Sequence, residues 1–248
     1  MALRSLFLES SWNNQGQQNL GLAAAIDPAL KEIYGPGDGL RHARLRALDF
    51  FNTNPVASGL ALGVIINLER EVAGGFITPE QRTRVASSLN RTLASMGDAL
   101  FWQSWLPLCS LVAVWGVLSL GLWWAPLLLP ALFCLPAIPV RFFGLYLGYR
   151  QGREITDLLY RLKVQKLAQS IKRLVALLVG ASTVILVYTK TALAEDRSLG
   201  HLWLAIGIVA VTVLFFRFLS GKTRILAYWY PILLVAVATV VMAALDRM

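Results

Sequence analysis

The run WLPLCSLVAVWGVLSLGLW, which covers Trp105–Trp123, contains no charged side chain. A bilayer core about 30 Å thick is crossed by a helix of about 20 apolar residues, so this run predicts a membrane-spanning helix. The whole chain has 248 residues, of which 56% are hydrophobic. That fraction exceeds the usual share in soluble domains and predicts a protein that crosses the membrane several times.

Further apolar runs follow the first one. The predicted spans are Trp124–Val140, which Phe142–Tyr149 extends past Arg141, then Leu174–Thr189, Leu199–Phe216 and Ile225–Leu245. The first two spans contain Pro107, Pro126, Pro130, Pro136 and Pro139. Proline removes a backbone donor from a helix, so this density favours broken or re-entrant helices that are buried in protein or line a cavity.

The chain divides by polarity into two regions. Residues 1–103 carry charge throughout, whereas residues 104–248 are mostly apolar runs separated by basic loops. Within the first region, Thr53–Leu68 is apolar but short, which suits a re-entrant or interfacial hairpin. The predicted fold class is therefore all-α: a polytopic membrane protein with re-entrant or broken helices and an amphipathic helical N-terminal region on the cytoplasmic side.

The formal net charge of +9 comes entirely from the apolar region. Residues 1–98 hold nine basic and nine acidic side chains, and residues 99–248 hold fourteen basic and five acidic ones. Basic residues interleaved with spans report topology, and they do not form a nucleic-acid-binding patch. The basic loops 150–173 and 217–224 are predicted to be cytoplasmic. The C-terminus then lies outside.

The segment Glu154–Leu174 alternates apolar and basic side chains near helical spacing. This pattern predicts an amphipathic helix. Two placements fit the pattern equally well: the helix lies in the cytoplasmic membrane interface, or it packs on the helix bundle as an ordinary solvated helix.

Three short clusters combine uncharged polar groups with aromatic rings. They are Ser11-Trp12-Asn13, the run DFFNTNP at Asp49–Pro55 and the run GDALFW at Gly97–Trp102. Amides, hydroxyls and aromatic walls suit a neutral polar solute such as a sugar. The candidate substrate-binding residues are Trp12, Asn13, Asn52, Thr53, Asn54, Asp98 and Trp102.

Each cluster also has a structural interpretation. Thr53 or Asn54 can cap a helix whose first residue is Pro55. Asp98 can cap the following span, and Trp102 can belong to the aromatic belt at the membrane surface. The residues alone do not decide between these roles and substrate binding.

The sequence lacks the residues that a metal site, a P-loop or an enzyme active site would need. His42 and His201 are the only histidines, and neither has a partner at metal-ligand spacing, so no metal site or cofactor is predicted. Ser220–Thr223 resembles the end of a P-loop, but Phe216 stands where the upstream glycine is required. A membrane-embedded enzyme would need a nucleophile and a base, and no such pair is recognisable.

Five stretches resemble a known family in order and spacing. They are FLESSWN at Phe7–Asn13, DFFNTNP at Asp49–Pro55, GVIINLE at Gly63–Glu69, GDALFW at Gly97–Trp102 and VRFFGLYLGYRQG at Val140–Gly152. The sequence resembles the IID component of the mannose/fructose/sorbose-type sugar phosphotransferase system. The resemblance runs from about residue 4 into the final spans, where it rests mainly on hydropathy.

The resemblance implies a non-catalytic permease subunit in the bacterial inner membrane. Such a subunit pairs with a IIC subunit to bind and translocate a mannose-type hexose. Soluble IIA and IIB proteins carry the phosphoryl group, and IIB phosphorylates the sugar. The family typically assembles as trimers of the IIC–IID pair, and its external C-terminus agrees with the charge pattern.

One departure from the family supports an alternative. The family usually has a Gly-Pro-rich approach to the Gly-Asp motif and a proline after the aspartate. Here Arg91–Met96 precedes Gly97, and Ala99 follows Asp98. The alternative function is a divergent, transport-inactive membrane partner with a regulatory or sensory role.

Overall fold

The computed structural model describes residues 2–193 and Gly207. This part of the chain is helical, as the sequence predicts. The helices are α1 Ala2–Ser5, α2 Asn19–Tyr34, α3 Asp38–Ala47, α4 Ser58–Ala73, α5 Pro79–Gly97, a π-helix Asp98–Trp105, α6 Leu106–Leu120, a 3₁₀ turn Ala125–Leu127, α7 Leu128–Gln151, a 3₁₀ turn Gly152–Glu154, α8 Ile155–Arg161 and α9 Val164–Leu193.

The chain forms two compact units, Met1–Ala176 and Leu177–Met248. The first unit contains the candidate site. The described part of the second unit is the C-terminal portion of α9, which covers the predicted span Leu174–Thr189 almost entirely as helix. The predicted spans Leu199–Phe216 and Ile225–Leu245 lie outside the described residues, apart from Gly207.

Two helical stretches of the described part are long and apolar enough to cross a membrane. They are Pro79–Leu118, which joins α5, the π-helix and most of α6, and Ala125–Arg161, which contains α7. The first begins 26 residues before the predicted start at Trp105, because the polar helix α5 continues into the apolar run without a break. Gly121, in the left-handed conformation at φ 64°, ends α6 and allows the chain to turn towards α7.

Helix α7 is continuous through Pro136 and Pro139, so these two of the five prolines do not break a helix. Pro136 cannot donate to the carbonyl of Leu132, four residues earlier. The indole N–H of Trp105 donates to that carbonyl instead, at 3.1 Å. A side chain from the neighbouring span therefore satisfies a backbone acceptor that the proline leaves free.

Helix α4 lies at the centre of the first unit and packs closely on α7. A Cβ added at Gly59 would lie 1.8 Å from the carbonyl oxygen of Arg141, and one at Gly63 would lie 2.2 Å from that of Leu145. From the other side, a Cβ at Gly148 would lie 2.2 Å from the carbonyl oxygen of Leu60. Glycines four residues apart on both helices thus permit backbone-to-backbone contact.

The apolar stretch Thr53–Leu68 does not form a hairpin. It enters a turn at Pro55 and then continues as the single helix α4, which has no chain reversal within its 16 residues. A helix of this length is about 24 Å long, shorter than the bilayer core. The re-entrant position of this segment stays a prediction, as do the boundary at residue 103 and the cytoplasmic position of the N-terminal region.

The amphipathic segment Glu154–Leu174 forms two helices where the sequence predicts one. Helix α8 ends after Arg161, and Lys163 takes a left-handed conformation at φ 53° before α9 begins. Ile155 and Leu159 of α8 are buried in the same core as α4. For α8, this favours the placement on the helix bundle over the membrane interface.

Arg141, within the predicted span, is paired. Its guanidinium donates to the carbonyl oxygen of Ser5, and its Nε lies 3.4 Å from the Ser5 hydroxyl. A cation in an apolar helix thus anchors the N-terminal helix α1 to α7.

Candidate functional site

The first polar cluster forms a tight loop before α2. The Asn13 carboxamide oxygen accepts from the backbone N–H of Gly16 at 2.7 Å, and its amide nitrogen donates to Asn19 Oδ1 at 2.9 Å. Both ends of the Asn13 side chain are therefore engaged within their own loop. Trp12 is about half exposed and stands beside this loop.

Gln18 connects the first cluster to the second. Its buried amide donates to the backbone carbonyl of Thr53 at 3.0 Å and accepts from the backbone N–H of Thr53 at 2.9 Å. The same amide nitrogen lies 3.1 Å from Glu9 Oε1. Gln18 was not among the predicted site residues, because it stands in the amide-rich run NNQGQQN, where nothing in the sequence distinguishes one amide from another.

The second cluster places its three polar side chains in different environments. Asn52 is exposed, whereas Thr53 and Asn54 are buried. The Thr53 hydroxyl is buried and has no hydrogen-bond partner among the described residues. An unpaired buried hydroxyl is costly, so this group is a candidate for a polar contact with a ligand or a partner chain.

Asn54 joins the second cluster to the third. Its carboxamide oxygen accepts from the backbone N–H of Val56 at 2.9 Å, which closes the turn before α4. Its amide nitrogen donates to Asp98 Oδ1 at 2.8 Å.

The sequence left open whether Thr53 or Asn54 caps a helix that begins at Pro55 or binds a substrate. Helix α4 begins at Ser58 and is preceded by Ala57 without a side-chain cap, so the capping interpretation is wrong, and substrate binding stays a prediction.

Gly97 permits the contact between Asn54 and Asp98. A Cβ added at Gly97 would lie 2.5 Å from the Asn54 Cβ. Packing therefore explains the Gly-Asp pair of the third cluster. Gly97 leaves space for the Asn54 side chain, and Asp98 accepts a hydrogen bond from the Asn54 amide.

Asp98 does not cap a helix. Helix α5 continues directly into the π-helix, and the backbone N–H of Asp98 bonds to the carbonyls of Ala94 and Ser95. A helix without a break has no free N–H groups to cap, so that alternative is wrong. π-Helical turns inside α-helices frequently occur at functional positions, where they change the direction of side chains.

Trp102 packs against another aromatic ring. It stacks on Phe133 of α7 at 5.6 Å between ring centroids, with an interplanar angle of 10°. Phe101 contacts the same ring edge-on at 6.3 Å. No described contact joins Trp102 to Asn54 or Asp98. The structure therefore brings Asn54 and Asp98 together directly and ties Thr53 to the first loop through Gln18, while Trp12, Asn52 and Trp102 remain at the edges.

A buried charge cluster connects helices near the end of α4 that is farther from Asn54. Glu69 of α4 is fully buried, and its carboxylate lies 2.6 Å from Arg46 of α3 and 2.8 Å from Arg82 of α5. The Tyr34 hydroxyl of α2 donates to Glu69 Oε2 at 2.8 Å. Burial, with the hydrogen bond and charge of Glu69, raises the pKa of Tyr34. One carboxylate thus connects four helices.

Comparison with known proteins identifies the family. The family model described as PTS system mannose/fructose/sorbose family IID component matches residues 1–247. The chain belongs to this family. Its relatives include the mannose-specific EIID component of the phosphotransferase system of Escherichia coli (strain K12), which is 31% identical over 181 residues. A fructose permease IID component of Bacillus subtilis (strain 168) is 33% identical over 183 residues.

The aligned regions do not cover whole proteins. They span 72% of this chain and 64% of the E. coli relative, and 73% of this chain and 66% of the B. subtilis relative. This IID component therefore aligns with just under two thirds of the length of these relatives.

Solved structures share the fold. A structure titled "Structure of membrane protein" matches with a TM-score of 0.68, and it covers 97% of this chain and 94% of the other. A cryo-EM structure of the mannose transporter ManYZ in complex with microcin E492 matches with a TM-score of 0.56 and the same coverage. Both are 24% identical in sequence, so they show the all-helical membrane fold alone.

Proposed function

We propose that this IID component is the translocation subunit of a phosphoenolpyruvate-dependent sugar phosphotransferase system. With a IIC subunit it would form the channel and binding site for a mannose-type hexose in the bacterial inner membrane. The IIB partner, loaded by IIA, would phosphorylate the sugar during uptake. In this proposal the chain itself has no catalytic residue, the IIC–IID pairs assemble as trimers, and the C-terminus lies outside.

The observation that supports this function best is the polar junction around Asn54. The Asn54–Asp98 hydrogen bond joins two motifs, and the buried Thr53 hydroxyl beside it has no partner among the described residues. Sugar hydroxyls both donate and accept, so one hydroxyl can pair with the Thr53 Oγ1 and another with the Asp98 carboxylate.

The remaining candidate residues have supporting roles in this proposal. Asn52 is exposed, and its amide would contact the sugar or the subunit interface. Asn13, through its loop, and Trp12, through its exposed ring, would form the cytoplasmic side of the site. Trp102, stacked on Phe133, would shape the gate.

The alternative of a transport-inactive regulatory partner gains no support. The alternative rests on the altered approach to Gly97, where Arg91–Met96 precedes the glycine and Ala99 follows Asp98. All of these residues lie inside the continuous helical stretch from α5 to the π-helix. The curated relatives carry the names of sugar-system components and of a permease component.

The Thr53→Val variant tests the site. Valine has nearly the same shape but no hydroxyl, so a purely structural Thr53 predicts unchanged uptake and equal or higher stability, because an unpaired buried group is removed. Substrate binding predicts uptake of labelled hexose about tenfold lower at equal protein level. The parallel Asn52→Ala variant should abolish uptake while leaving assembly with the IIC subunit intact.

The matched control is Thr92→Val on α5. The Thr92 hydroxyl donates to the Ser88 carbonyl of its own helix at 3.1 Å, so this change also removes one threonine hydroxyl but none from the site. Normal uptake by Thr53→Val and Asn52→Ala, alongside normal uptake by the control, would contradict the site assignment.

A further inference from the structure

A cavity lies away from the polar junction, between helices α2, α4 and α7. Its volume is about 820 Å³. Its wall includes Arg70, near the end of α4, whereas Asn54 precedes the start of α4. The rise from Ser58 to Arg70 alone is about 18 Å, so the cavity is a separate feature from the candidate sugar site.

The cavity wall is amphipathic. One part consists of apolar side chains, which are Ile33, Ile66, Phe142 and Leu145. The other part contains one cation, Arg70, one anion, Glu32, and the phenol rings of Tyr146 and Tyr149. Such a wall matches a ligand that has an apolar body and a head with both charges.

Arg70 is prepared to bind an anion. Its guanidinium lies over the Tyr149 ring at 5.5 Å from the centroid and donates to the Tyr149 hydroxyl. Among the described residues no carboxylate forms an ion pair with Arg70, although Arg46, Arg82 and Arg153 all have one. A guanidinium held in place and free of a carboxylate is the group that binds phosphate through paired N–H donors.

A second arginine–tyrosine pair lies within α7. Arg150 donates to the Tyr146 hydroxyl at 3.0 Å and lies 5.7 Å from that ring. Tyr146 is exposed and lines the cavity, while α7 ends at Gln151. Tyrosine and arginine at the end of an apolar helix are typical of the level where lipid head groups lie.

From this arrangement we infer that the cavity binds a phospholipid whose head group carries a phosphate and a primary amine, as in phosphatidylethanolamine. The phosphodiester pairs with Arg70, the ammonium group pairs with Glu32, and an acyl chain lies on the apolar wall. Opposite charges on one cavity wall favour this zwitterionic head over an anionic one, because an anionic head would bring a second negative charge near Glu32 and offer it no cation.

Native mass spectrometry of the full chain in its purified membrane complex tests this site. The complex is first stripped of lipid, and phosphatidylethanolamine, phosphatidylcholine and phosphatidylglycerol with identical acyl chains are then titrated in separate experiments. We expect phosphatidylethanolamine to bind about tenfold more tightly than the other two, because only its head group both donates from a primary ammonium and accepts at the phosphate.

Substitutions at Arg70 and Glu32 test the contribution of each charge to lipid binding. Arg70→Gln should weaken all three phospholipids about tenfold, whereas Arg70→Lys should keep most of the binding, because the cation remains. Glu32→Gln should remove the preference for phosphatidylethanolamine over phosphatidylglycerol without loss of phosphatidylglycerol binding. Arg91→Gln and Glu80→Gln, two exposed positions on α5, are the matched controls.

A water-soluble head group distinguishes the source of the phosphate. Glycerophosphoethanolamine has the same charges without acyl chains, and we expect it to leave bound lipid in place even at millimolar concentration. Displacement by this compound would show a site for a free phosphate ester and overturn the lipid assignment.

Three further outcomes would overturn the proposal. The first is equal retention of the three lipids by the unmodified chain. The second is unchanged binding in Arg70→Gln. The third is a complex in which the IIC subunit fills the cavity and excludes every lipid. None of these outcomes depends on sugar uptake, so the lipid site and the sugar site can fail independently.

Discussion

Helices α4 and α7 are both rich in apolar residues, but the first unit buries them to very different extents. Eleven of the 16 residues of α4 are buried, whereas three of the 24 residues of α7 are buried, namely Ala137, Gly144 and Gly148. Large apolar side chains of α7 stand exposed, with Leu135 at 71% and Phe143 at 73%. The apolar residues of α4 build a protein core, and those of α7 require lipid or a partner chain to cover them.

The two helices meet through the few positions where both are buried. Gly59 and Gly63 of α4 face Gly144 and Gly148 of α7 at backbone contact. Substitutions at these glycines, at the buried charges of α4 and at a proline of α7 test this difference between the two helices.

The largest effect is expected from Gly63→Leu. The added side chain would meet the Leu145 carbonyl oxygen and the backbone of Gly148, which cannot move without separation of α4 from α7. We expect a loss of stability of about 3 kcal/mol or more and little folded protein in detergent. Yield after size-exclusion chromatography and the melting temperature measure the effect.

The control for this variant is Gly180→Leu. Gly180 lies in α9, and no atom of the described neighbouring residues comes within 4 Å of an added Cβ, so the same change there should leave the folded yield intact. A stable, monodisperse Gly63→Leu protein would show that the α4–α7 contact is looser than the structure describes.

A smaller effect is expected from Glu69→Gln, at the other end of α4. The change leaves Arg82, which is 4% exposed, and Arg46 without their shared carboxylate. Removal of one partner of a buried ion pair typically costs about 3–5 kcal/mol, and the exposed edge of Arg46 places this case near the lower value. Chemical denaturation in detergent micelles measures the loss.

Glu71→Gln is the matched control on the same helix. Glu71 pairs with Arg153, which is half exposed, and such surface pairs contribute at most about 1 kcal/mol. Equal losses for the two variants would contradict the distinction between a buried core around Glu69 and a solvated end of α4.

The sequence predicted the helical membrane class, the family and the three polar clusters, because composition and local motifs carry that information. It did not predict that Asn54 and Asp98 meet, since a contact between residues 44 positions apart is fixed by the packing of α4 against α5. The spacing of four residues between the glycines of α4, and between those of α7, can be read from the sequence. The sequence does not show that these two helices pack against each other. The continuity of α7 was unpredictable for a similar reason: prolines indicate a break, and only the three-dimensional structure places the Trp105 indole at the carbonyl that Pro136 leaves free.

The smallest effect is expected where Trp105 supports α7. Trp105→Phe removes the donor to the Leu132 carbonyl but keeps an aromatic ring, so the loss should be about 1 kcal/mol. Trp123→Phe, at an exposed ring, should cost nothing measurable. Pro136→Ala supplies the missing backbone N–H, and in that background Trp105→Phe should also be nearly neutral. The coupling energy from this double-mutant cycle, measured by thermal denaturation in detergent, therefore reports the hydrogen bond itself. Strictly additive losses would mean that the Trp105 ring stabilises α7 through packing alone, and that another group satisfies the Leu132 carbonyl.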